Sequence, residues 1–144
     1  METIQYSQID LASEQLDSAL KLFMAKTPRF ASALTLAGAA EEILGKTLEH
    51  QGKTSAMRHW YLGKINNCTG CKPLPTWQQH ASEENFARNI LKHVHDVKVI
   101  AIPFGLEDAA AMMLYRAITN YEWLGLNKSW RMGKFERWFL KWAS

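Results

Sequence analysis

The residues best suited to chemistry in this 144-residue sequence are Arg88, Asn89 and His93, set out as Arg-Asn-x-x-x-His. Arginine keeps its charge at every working pH, and its planar fork of donors matches phosphate oxygens. Histidine titrates near neutrality and can take up or deliver a proton. With a polar Asn beside them, they form a minimal kit for cleaving a phosphodiester without metal. His93 would activate a ribose 2′-OH or protonate the leaving oxygen. Arg88 would stabilise charge on the phosphorus oxygens.

Other signatures are absent or incomplete. There is no phosphate-cradling Gly-rich loop after a strand, no His-Glu-x-x-His and no Gly-x-Ser-x-Gly. Cys68 and Cys71 form one Cys-x-x-Cys in a polar loop, with His59 and His80 within about a dozen residues. That is only half a zinc site, and the pair reads rather as two reduced thiols in a loop. Glu41, Glu42 and Lys46 share a helical stretch in which Glu42 and Lys46 form an i,i+4 ion pair. A di-metal site would need Glu-x-x-His pairs, which the chain lacks. No metal and no cofactor are therefore expected.

The segment around Arg88 has to be positioned by helices. Residues 10–26 read as an amphipathic helix, with Leu16, Ala19, Leu20, Phe23 and Met24 three and four apart. Thr27-Pro28 is expected to stop it and open the next, Thr27 as N-cap and Pro28 in the first turn. The second helix, 29–50, ends at Gly52, and its small residues Ala37-Gly38-Ala39-Ala40 would let a neighbour approach closely. A short helix is expected over 54–63 and a loop over 66–81. Ser82-Glu83-Glu84-Asn85 would start a helix that ends near His95. Residues 97–104 read as extended, 106–124 as a long helix closed by Gly125, and 129–142 as a last, aromatic-rich helix. Four long helices with short extra ones bury their apolar stripes best as an all-α, up-and-down bundle of four to five helices. The length suits one domain over 1–144.

One geometric difficulty follows. Five residues at 3.6 per turn set Arg88 and His93 about 140° apart. Either Arg88 curls round on its stem, or the helix ends near His93, or a second subunit completes the site. Asn89 and His93 do share a face.

Composition bounds the rest. No apolar run approaches a membrane span, and the first residues lack the pattern of a signal peptide, so a cytoplasmic location is expected. The net charge is +3, but Lys128, Arg131, Lys134, Arg137 and Lys141 stand against Glu136 alone, which puts +4 at one end. Such an end can attract phosphate or be a solvated helix face. Trp130, Phe135, Trp138, Phe139 and Trp142 form a helical stripe there, suited to core or dimer packing more than to base stacking.

The Arg-Asn-x-x-x-His string late in a small helical bundle resembles the HEPN superfamily. The stretch Leu36 to Lys46 is similar to the early small-residue helix of such domains, and the polar run Lys92 to Asp96 to their helix end. The resemblance implies a symmetric homodimer in which Arg88, Asn89 and His93 of two protomers line one cleft. It implies a metal-independent endoribonuclease of toxin or antiviral-effector type that leaves a 2′,3′-cyclic phosphate. RNA or a nucleotide would be its ligand, a nucleotidyltransferase-like antitoxin its partner protein, and no membrane would be involved. Glu41 or Glu42 would approach the cleft, although a surface ion pair also explains either. Two other readings stay open: a non-catalytic nucleotide- or protein-binding dimer, and a structural dimer in which Arg88 pairs with Glu84 and His93 caps a helix.

Overall fold

The chain is described by a computed structural model covering residues 2–67, 70, 73–93 and 102–144. The described residues form seven α-helices and no strand: α1 (Gln8–Phe23), α2 (Phe30–His50), α3 (Ala56–Asn67), α4 (Trp77–Glu84), α5 (Phe86–Lys92), α6 (Leu106–Trp123) and α7 (Trp130–Trp142). This is an all-α bundle with short extra helices. None of the helices among the described residues is long and apolar enough to cross a membrane.

α2 is the central element, packed most extensively on α6 and α1. Its inward side carries Ala33, Ala37 and Ala40 between Leu34, Leu44 and Leu48, all fully buried. Small side chains along one stripe let two neighbours approach α2 closely, while the leucines fill the layers between. Leu16 and Leu20 from α1, Leu114 and Ile118 from α6, and Phe135 from α7 complete this core. The aromatic stripe of α7 divides. Phe135 and Phe139 are buried, and Phe23 meets Phe135 and Trp138 edge-on at 5.4 and 5.1 Å. Trp142 stacks on Trp138 and is half-exposed, whereas Trp130 is 67% exposed.

The long helices agree with the apolar periodicity, and the differences lie at their ends. α1 begins two residues before residue 10, because Ser7 and Asp10 form a reciprocal capping box. It stops at Phe23. The turn is set by the Arg29 N–H, which donates to the Leu22 carbonyl at 3.0 Å. Arg29, at φ −122° and ψ 78°, is the N-cap of α2, so Thr27 and Pro28 lie in the link rather than in cap and first-turn positions. Gly52 and Gly125 follow α2 and α6 with φ of +73° and +80°, the left-handed conformation that glycine adopts without penalty. α3 runs further than residues 54–63.

The stretch over 66–81 is not loop throughout. α4 occupies its end, opened by a capping box in which Thr76 accepts from the Gln79 N–H at 3.1 Å and Gln79 accepts from the Thr76 N–H at 2.9 Å. Ser82-Glu83-Glu84-Asn85 therefore closes α4 instead of starting a helix. Asn85 is the C-cap of α4 and the N-cap of α5 at once. Cys68, Cys71 and most of the stretch expected to be extended (97–101) lie outside the described residues, as does His95.

Three buried polar side chains cross the bundle. Arg116 of α6 and Glu41 of α2 are 3% and 5% exposed, with Nε 3.0 Å from Oε1. The Nε–H does not point along that line, so the contact is coulombic rather than a hydrogen bond. The Arg116 Nη2 donates to the Asn85 side chain at 2.6 Å, and Nη1 lies 3.4 Å from the Glu84 carboxylate. Asn120 donates to the Glu41 carbonyl at 3.4 Å and accepts the Ala56 N–H at 2.8 Å. These contacts join α2 and α6 to the start of α3 and to the α4–α5 junction.

A buried pair that loses one partner leaves the other charge uncompensated, at a cost of about 3–5 kcal/mol. Glu41→Gln is expected to destabilise the fold by about that amount in urea denaturation. Glu41→Leu combined with Arg116→Met is expected to recover most of the loss. Equal stability of Glu41→Gln and the parent would contradict this role.

Candidate functional site

α5 is two turns long and carries all three candidate residues. It packs on α2, where Leu91 lies beside Leu36 and Arg88 lies over Gly38. The Arg88 stem crosses α2 over Gly38. A Cβ built there would stand 2.5 Å from Arg88 Cδ and 3.1 Å from Cγ and Nε. The arginine stem occupies the space a side chain at position 38 would take, so the small-residue run accommodates a side chain of α5.

Beyond Gly38 the guanidinium reaches Glu42, whose carboxylate also accepts from Lys46 at 2.9 Å. The i,i+4 pair between Glu42 and Lys46 is thus present, with Arg88 added as a third member. Arg88 pairs with Glu42 and not with Glu84, which turns instead to Arg116. Glu41 is not on the surface; it is buried against Arg116. The Lys46 hydrogen bond, then the Arg88 contact, hold the Glu42 carboxyl below its usual value of 4.5 against the opposing effect of partial burial.

Arg88, Glu42 and Lys46 line a cleft of about 220 Å³, walled also by Asn85, Trp77 and Ser55. Asn89 and His93 are not among its lining residues. Both are exposed, one turn apart, and the His93 N–H donates to the Asn89 carbonyl at 3.0 Å. α5 ends at Lys92. His93 is its C-cap, with φ −111° and ψ 47°, and so leaves the helical track. Of the three ways to relieve the 140° offset, the one visible within the chain is the helix end. Chemically, the segment offers a fixed cation at the mouth of a cleft, and an exposed amide and imidazole just beyond it.

Two residues that shape the site carry weak sequence signals. Trp77 stands on a helix announced by the Thr76-x-x-Gln79 pattern. Arg116 lies on a helix face that is apolar apart from Asn120, a place where a charge usually needs a buried partner. His80 and His59 read as structure. His80 is buried, with Nε2 donating to the Met57 carbonyl at 3.2 Å, and His59 packs edge-on against Trp123. Among the described residues, no group of three or more His, Cys, Asp or Glu side chains is arranged to hold a metal ion.

Two outcomes follow from this geometry. Alanine gains about 1 kcal/mol over glycine inside a helix. At Gly38 that gain is opposed by displacement of Arg88, so Gly38→Ala is expected to leave stability within about 1 kcal/mol of the parent while shifting the Arg88 Nε resonance. In an Arg88→Ala background the same change is expected to stabilise by about 1 kcal/mol, and denaturation of the four proteins reads the cycle. For Glu42, a carboxyl depressed on folding contributes stability above its unfolded value and loses it as pH falls through the folded one. Stability of the parent is therefore expected to drop more steeply than that of Glu42→Gln below about pH 4.5, measured as urea midpoints across that range. Parallel pH curves would exclude the linkage.

No protein family, no curated protein and no solved structure matches this chain, so the account of the site rests on its residues and their arrangement.

Proposed function

We propose that this chain is a metal-independent endoribonuclease of HEPN type that acts as a homodimer. In this reading Arg88 and His93 of two protomers share each scissile phosphate. His93 takes the proton of the ribose 2′-OH, whose oxygen attacks phosphorus. The bond to the 5′-oxygen breaks and that oxygen gains a proton. A 2′,3′-cyclic phosphate and a 5′-hydroxyl result. Arg88 stabilises the charge that builds on the phosphorus oxygens, and Asn89 adds a hydrogen bond.

The observation that carries this reading is the end of α5 at Lys92. It leaves His93 and Asn89 exposed on one side while Arg88 is held in place by Glu42 over Gly38. A pre-positioned cation stabilises developing charge without reorganising at the moment of reaction. A toxin or antiviral effector, held in check by a nucleotidyltransferase-like antitoxin, is the biological role this activity would serve.

A second reading is favoured by a different observation. The Arg88 side chain is 13% exposed and already meets a carboxylate. A guanidinium so engaged suits a non-catalytic dimer that binds a nucleotide or protein in the cleft.

The test is incubation of purified protein with RNA in EDTA, followed by analysis of the ends. Cyclic-phosphate ends are expected, with rates reduced at least about 100-fold in Arg88→Ala and His93→Ala. If each site draws on both protomers, re-assorting the two inactive variants restores one intact site per mixed dimer, about a quarter of the parent activity. Undiminished cutting by either variant would refute the catalytic assignment. Nucleotide binding with no cutting would select the second reading.

A further inference from the structure

A second surface stands apart from α5. At 100° per residue, Trp130, Lys134, Arg137 and Lys141 fall within an arc of about 60° on α7. That arc is directly opposite the buried residues Met132, Phe135 and Phe139. All four are exposed, and Trp130 is the second most exposed of the large hydrophobic side chains among the described residues. The stripe runs for about 16 Å along the helix.

Its charge is not neutralised. Lys128 is paired with Glu122 and Glu136, and Arg131 with Asp17, which also holds Lys21. Among the described residues no carboxylate lies within ion-pair distance of Lys134, Arg137 or Lys141. The Arg131 guanidinium carbon lies over the Trp130 ring, 4.8 Å from its centre, and the Lys134 Nζ is 5.9 Å from that centre. Beside it, a hollow of about 180 Å³ opens between α7 and α1, floored by Leu20 and Met24.

We infer that this face of α7 binds single-stranded nucleic acid, with one unpaired base stacked on Trp130 and the backbone phosphates along Lys134, Arg137 and Lys141. An exposed indole offers a π-face to any base, and a row of unpaired cations tracks a phosphate backbone. A duplex keeps its bases stacked on one another and has none to offer. A bilayer surface would call for a broad apolar face, whereas this one is charged along its length apart from Trp130. The inference rests on the RNA-directed reading above only for the strand being RNA; α7 contributes nothing to the Arg88 cleft.

Binding can be read without cleavage by using a fluorescent 2′-O-methyl RNA 12-mer, which has no 2′-OH to attack. Anisotropy titrations with the whole protein are expected to give a log affinity that falls with log salt at a slope of about 2, as for three phosphate contacts. Trp130→Ala is expected to weaken binding at least about five-fold and Trp130→Tyr much less. Lys134→Glu is expected to weaken binding and flatten the salt slope. Both positions are exposed, and far-UV circular dichroism confirms the fold of each variant. Unchanged affinity in Trp130→Ala and Lys134→Glu would overturn the proposal, as would equal affinity for duplex RNA. Capture of phosphatidylserine vesicles through Trp130 with no RNA binding would overturn it as well. Failure here leaves the cleavage assay with Arg88 and His93 variants unaffected, and failure of cleavage leaves this binding to be measured.

Discussion

The arrangement depends on one buried charge, Arg116. Its guanidinium lies in the core between α2 and the α4–α5 junction, where water cannot solvate it. Such a group is tolerated only if charge and hydrogen bonds reach it from several directions. Glu41 supplies the opposite charge, Asn85 the shortest hydrogen bond, and Glu84 a more distant carboxylate. Glu41 comes from α2, and the adjacent Glu84 and Asn85 come from the α4–α5 junction, so meeting the needs of one cation fixes where α4 ends and where α5 begins. The place of Arg88 follows from that junction, three residues beyond Asn85.

A division of labour between the two arginines explains the site. Arg116 is fully enclosed and acts as a fastener. Arg88 lies at the boundary between interior and solvent, its stem over Gly38 and its head beside Glu42. Two glycines on α2 mark these crossings a heptad apart: Gly38 under Arg88, and Gly45 under Asn120, whose amide would stand 3.3 Å from a Cβ there. The helix that forms the core with its alanines thus passes polar side chains across a buried flank of that stripe at the two positions where it has no side chain.

The periodicity of apolar residues made the long helices legible, because each buries a stripe whose spacing the sequence displays directly. Leu16, Leu20 and Phe23 of α1, and Leu114 and Ile118 of α6, belong to that class. α4 was hidden because Trp77 to Glu84 is polar and follows a loop-like run; only Thr76 and Gln79 mark it. The Arg88-Asn89-His93 string was visible as a string, but its setting was not. The partner of Arg88 lies 46 residues away on another helix, and no local spacing reveals a contact of that range. Glu41 and Glu42 differ by one residue and look alike in sequence. One step of 100° sends the first into the core and leaves the second half in water.

α5 also has a consequence for motion. A helix of two turns is far below the length that holds together in water by itself. Its order is borrowed from Ala87 and Leu91 on the core, from Arg88 on α2 and from Asn85 on Arg116. Opening of this segment is then a local event with its own free energy, lower than that of the α1–α2–α6 core and governed by those attachments. The backbone that carries His93 is accordingly as stiff as the side chains that anchor it, and a change at Arg116, deep in the bundle and remote from solvent, alters the time the segment spends in place.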